Sequence, residues 1–100
     1  MKLLTKAIIK KAPKLGVTSE LEAKDVKIVA KFFNPVGSWT WYMTEYDAEE
    51  GLAFGYVKGD FPELGYFSIE ELSSVELQFG LSIERDLHWN DETTLAEVME

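Results

Sequence analysis

The sequence predicts an α+β fold: a mainly antiparallel, twisted sheet of about five short strands, an N-terminal helix, and one or two further short helices. Three observations predict it. Period-two runs separated by turn residues recur through the middle of the chain. A helical-period apolar stripe occupies the start, and two capping-box patterns, Ser68–Glu71 and Thr94–Glu97, each open a short helix. The 100 residues and 46% hydrophobic content suit one domain, 1–100, with a single modest core.

Leu4, Ile8, Ala12 and Leu15 recur at helical spacing, so a first helix is expected near 5–12, with Thr5 as cap and Pro13 and Gly16 closing it. Its other face carries Lys6, Lys10 and Lys14. In "VKIVAKFF", Val26, Ile28, Ala30 and Phe32 alternate with Lys27 and Lys31, the pattern of a half-buried strand. Asn34, Pro35 and Gly37 then form a turn.

The second strand is "SWTWYMTEYD", four aromatic rings in ten residues. Strict alternation puts Trp39, Trp41, Met43 and Glu45 on one face and Thr40, Tyr42, Thr44 and Tyr46 on the other. The strand "LAFGYVK" returns after "DAEEG". A loop with an even residue count would put Leu52, Phe54 and Tyr56 on the tryptophan face, and an odd one would swap them. The even arrangement is expected, because it gathers the large apolar groups on one side. On that basis Trp39, Trp41 and Met43 are interior, and the tyrosine face is the freer surface unless a helix packs on its small residues. A short strand should end "KGDFPELGYF", a helix should run from Ile69 to about Ser74, and "VELQFG" and "IERDLHW" read as further short strands.

Charge is distributed unevenly. Residues 1–33 carry eight lysines and three acids, a net +5, whereas residues 34–100 carry two cations and fifteen acids, a net −13. Such a chain has one basic end and one acidic body, each able to steer a partner of opposite charge, although an acidic surface also serves solubility. The opening "MKLLTKAIIKKAPK" begins like a signal peptide, but Lys6, Lys10 and Lys11 interrupt its apolar run. A cytoplasmic protein without membrane contact is expected. The absence of cysteine agrees with a reducing compartment.

The words "KFFNP", "WTWY", "GYVKG", "PELGYFS" and "GLSIERDLHW", with Glu45 and Asp47 between them, follow one another in a distinctive order. In this the chain resembles the bacterial family known as domain of unknown function 2958, from "MKLLT" to His88-Trp89. The resemblance implies a small cytosolic protein of a kind often carried on plasmids, integrative elements and phage-related DNA. It supplies no catalytic residues, and it implies an accessory protein of mobile DNA sooner than a metabolic enzyme.

Composition excludes several chemistries. Without cysteine there is no thiol nucleophile and no zinc–thiolate site, and one histidine rules out a multi-imidazole zinc centre. No G-x-S-x-G elbow, P-loop or dinucleotide glycine motif occurs. One set remains: on a strand, Glu84, Asp86 and His88 would share a face and could hold a hard divalent ion or pair a base with an acid. The same pattern is the ordinary solvent face of a strand. Arg85, on the opposite face, should escape at the sheet edge or meet a partly buried carboxylate.

Three functional readings follow. The first is a non-enzymatic protein-interaction module, an accessory factor of mobile DNA, whose carboxylates meet a basic protein; an acidic inhibitor or DNA mimic acting on a host defence protein is one form of it. Tyr42, Tyr46, Glu49, Glu50 and Asp60 are its candidate contacts, and no cofactor is called for. The second is nucleic-acid binding through Lys6, Lys10, Lys14, Lys27 and Lys31, since phosphate contacts need clustered cations and not net positive charge. The third is a metal-dependent hydrolase at Glu84, Asp86 and His88.

Overall fold

In the computed structural model, which describes residues 2–100, a five-stranded antiparallel sheet has the order β4-β3-β2-β1-β5. The strands are β1 (Ala30–Phe33), β2 (Thr40–Asp47), β3 (Leu52–Lys58), β4 (Pro62–Ser68) and β5 (Glu84–Arg85). Three short helices flank them: α1 (Lys6–Lys11), α2 (Ile69–Ser74) and α3 (Leu95–Met99). The α+β class and the helix positions follow the sequence closely. Thr5 caps α1 by accepting from the Ile8 amide, Ser68 caps α2 by accepting from Glu71, and Thr94 and Glu97 close a reciprocal capping box on α3.

The hairpin register departs from expectation. Tyr42 pairs with Tyr56, Trp41 with Val57 and Met43 with Gly55, so Phe54 and Tyr56 join the tyrosine face and not the tryptophan face. A bulge between Met43 and Glu45 then inserts one residue, after which Glu45 pairs with Phe54 and Tyr46 with Ala53. The extra residue reverses the alternation: Glu45 passes to the Tyr42 side and Tyr46 to the Met43 side. Gly55 is the residue that permits this close approach, because a Cβ there would lie 1.8 Å from the Tyr42 carbonyl oxygen.

Each face of the sheet therefore has its own apolar cluster. On one, Phe32, Met43, Ala53 and Phe67 pack with Leu3, Ile69, Leu72 and Ile83, with Trp41, Tyr46 and Val57 at the margin. On the other, Tyr56 packs with Val26, Ile28 and Leu95, joined by Tyr42 and Trp89. The alternation in "VKIVAKFF" changes phase between Ile28 and Val29, so this one segment feeds both clusters. Of the three residues expected inside, Met43 is fully buried and Trp41 half-buried. Trp39 precedes β2, keeps 39% of its surface exposed, and lies over Gly59.

Two expected strands are mostly absent. "VELQFG" forms a 3₁₀ turn at Gln78–Gly80, because Phe79 and Gly80 both take positive φ, 61° and 72°, which no strand accommodates. "IERDLHW" contributes only the two residues of β5 before turning away. The segment after it returns to the N-terminal third. Ile28 donates to the Thr93 carbonyl, Leu95 donates to the Val26 carbonyl, and the Trp89 indole donates to the Ile28 carbonyl at 2.8 Å.

Candidate functional site

The β3–β4 hairpin carries three exposed large apolar side chains on a regular backbone. Strand β4 pairs with β3 through seven uninterrupted residue pairs and has no partner on its other side in the sheet. Its alternation places Leu64 and Tyr66 beside Phe54 and Tyr56, on the face that α3 covers only in part. Leu64 is 46% exposed, Tyr66 is 65% exposed, and Phe61 at the hairpin tip is 82% exposed. The Tyr66 ring meets Phe54 edge-on with centroids 4.9 Å apart, which fixes its orientation without burying it. A shallow cleft of about 270 Å³ opens beside them, lined by Leu21, Thr44, Glu45, Phe54, Tyr66 and Leu95.

Glu45 in that cleft is a structural group. It is 4% exposed, and its carboxylate accepts from the Gly16 and Thr18 amides, each at 2.8 Å, and from the Thr18 hydroxyl. Burial alone would raise its pKa; the Thr18 hydroxyl and the two amides outweigh burial and hold it below the usual carboxylate value. The bulge makes this possible by turning Glu45 toward the 16–18 loop, where Gly16 has a φ of +88°. Tyr46 completes the anchor by donating its amide to the Pro13 carbonyl. Glu45 is thus withdrawn from the carboxylates that the sequence offers a basic protein.

The candidate contacts do not form one surface. Tyr42 is half-buried, stacked on Tyr56 at 6.2 Å and against Trp89 at 5.9 Å, so other aromatic rings cover it. Burial, and then the neighbouring Tyr56, raise the Tyr42 pKa. Tyr46 lies across the sheet, lining a cleft of about 540 Å³ with Lys10, Lys14, Asp47 and Glu49. Glu49 and Glu50 are exposed at the β2–β3 turn, where their amides donate to Asp47 Oδ1. Asp60 is exposed at the β3–β4 turn, the other end of β3, about 20 Å away at the rise of a strand.

The lysine stripe is interrupted in space by acids distant in sequence. Lys11 pairs with Asp91, and Lys27 pairs with Glu92 at 2.9 Å. The hydrogen bond and charge of Glu92 raise the Lys27 pKa, and those of Lys11 lower the Asp91 pKa. Lys31 lies 5.9 Å from the centroids of both the Tyr42 and Trp89 rings. Lys6, Lys10 and Lys14 are exposed, the last two beside Asp47 and Glu49. The basic end and the acidic body are therefore folded against each other and are not separate poles.

Glu84, Asp86 and His88 do not share a strand face, because β5 ends at Arg85 and Asp86 Oδ1 accepts from the His88 amide in a turn. Among the described residues no group of three His, Asp or Glu side chains is placed to hold a metal ion. Arg85 donates to the Lys2 and Leu3 carbonyls at 2.7 and 2.8 Å, tying the chain start to β5.

Sequence reasoning missed Phe61, Leu64, Tyr66 and the 88%-exposed Phe79. One signal was available: in "PELGYFS", Leu64, Tyr66 and Phe67 leave the strand without a polar face. Such a strand belongs in a covered sheet centre, and β4 is instead at an edge.

These features define an α+β protein built on a four-stranded meander, β1 to β4, with β5 added beside β1 and one long edge at β4. The chain belongs to the family described as protein of unknown function (DUF2958), whose model matches residues 3–100. No curated protein and no solved structure matches it. No helix among the described residues is long and apolar enough to cross a membrane.

Proposed function

We propose that the chain is a non-catalytic protein-interaction module whose contact surface is the outer part of the β3–β4 hairpin. The observation that carries this reading is the exposure of Phe61, Leu64 and Tyr66 on one ordered hairpin. Aromatic and aliphatic side chains held in place without cover are the usual anchors of protein interfaces. Charge supports a basic partner: between Lys58 and Arg85 the chain carries Asp60, Glu63, Glu70, Glu71, Glu76 and Glu84 and no cation. The family resemblance supports an accessory role in mobile DNA, where a basic partner that handles nucleic acid is a fitting target for an acidic inhibitor or DNA mimic. Nucleic-acid binding by the lysines is less well supported, since Asp91 and Glu92 already occupy Lys11 and Lys27.

The test is site-specific photo-crosslinking in the native host. A probe at position 66 should trap a protein, and a probe at Lys14 should trap none. Changing Asp60 and Glu63 to lysine should slow association, and added salt should slow the wild type once the Debye length falls to about 8 Å. Trapping at position 14 alone, or of nucleic acid, would move the contact to the lysine face and refute the reading.

A further inference from the structure

We infer that the free edge of β4 accepts an extended lysine- or arginine-bearing segment of another protein as a sixth strand of the sheet. The inference rests on the protein-interaction reading above and names the partner's chemistry. The backbone supplies the first argument. A sheet edge presents a row of unpaired amides and carbonyls, and proteins normally blunt it by shortness, bulges, lysines or cover. The opposite edge is blunted, since β5 has two residues. Strand β4 has seven, pairs with β3 without a bulge, and contains no lysine. Its proline, Pro62, stands at the first position only.

The side chains supply the second argument. A strand added beside β4 would lay alternate side chains next to Leu64 and Tyr66, which are exposed and already steadied by Phe54. On the opposite face Gly65 has nothing within 4 Å of where a Cβ would lie, so a neighbouring side chain has room there.

Charge decides the occupant. Glu63 lies on the strand, Asp60 precedes it, and Glu70 and Glu71 follow it, with no cation from Gly59 to Glu84. A second copy of this chain would bring those carboxylates against one another, and the whole chain carries −8. A segment alternating apolar and basic residues would pair charge with charge while its apolar side chains cover Leu64 and Tyr66.

Two seven-residue peptides test this on the full chain, matched to the length of β4: Lys-Val-Lys-Ile-Lys-Val-Lys and Glu-Val-Glu-Ile-Glu-Val-Glu. Amide hydrogen exchange in the isotopically labelled protein is the readout. The lysine peptide should slow exchange by about tenfold or more at alternate residues of β4, leave β5 unchanged, and lose its effect as salt rises. The glutamate peptide should do nothing. Leu64→Lys with Tyr66→Lys should weaken the lysine peptide by about tenfold, the size of a modest interface contact. Equal protection by both peptides overturns the charge argument. Protection of β4 in a concentration-dependent dimer without peptide overturns the choice of partner. No protection of β4 by either peptide overturns the edge assignment; if the probe at position 66 still traps a protein, the interaction reading stands without it.

Discussion

Replacing Glu45 should uncouple the 13–18 loop from the sheet. The carboxylate satisfies two backbone amides and one hydroxyl from a site that is 4% exposed. Hydrogen bonds to a charged group are worth about 1.5–3 kcal/mol each, and removing the acceptor leaves donors that only water can then satisfy. The three bonds share one carboxylate and the released loop can rehydrate, so Glu45→Ala should cost about 2–4 kcal/mol, less than their sum. Glu45→Gln should cost about half of that, because one oxygen still accepts while the new amide faces a donor. Urea unfolding followed by tryptophan fluorescence measures both. The pH dependence adds an independent check. Because folding lowers this pKa, the stabilisation is complete above the unfolded value of about 4.3 and is lost as pH falls from there through the folded value. Wild type should therefore lose more stability than Glu45→Gln between about pH 5 and 3. A glutamine variant within about 0.5 kcal/mol of wild type at neutral pH, with an identical acid limb, would refute the role given to this carboxylate.

Three other outcomes follow from particular residues. Gly55→Ala should destabilise by about 3 kcal/mol or more, since the added methyl meets backbone and not a movable side chain; a loss under about 1 kcal/mol in the same unfolding assay would mean that the bulge relaxes readily. Phe79→Gly should leave stability unchanged or raise it by about 1 kcal/mol, because an exposed aromatic in the left-handed region costs more than it packs, and a loss of that size would show a hidden contact. Spectrophotometric titration should find one tyrosine ionising later than an ordinary phenol, and Tyr42→Phe should remove that late component; its persistence would reassign the raised pKa.

The sequence by itself determined the features that depend on neighbours within about four residues. Thr5, Ser68 and Thr94 cap helices because a hydroxyl reaches an amide three residues on, whatever the fold around it. The strands β2, β3 and β4 were legible from turn residues and apolar runs, and with them the α+β class. Tertiary structure decided everything that depends on which strand lies opposite which. The bulge between Met43 and Glu45 reversed the faces of Glu45 and Tyr46, and no alternation rule reveals an inserted residue. The pairing of Lys11 with Asp91 joins residues 80 positions apart, so a charge asymmetry plain in the sequence is partly neutralised in space. The exposed edge is of the same kind. "PELGYFS" reads as a covered inner strand, and its place at the end of the sheet leaves Leu64 and Tyr66 exposed because no later segment of the chain returns to pair with it.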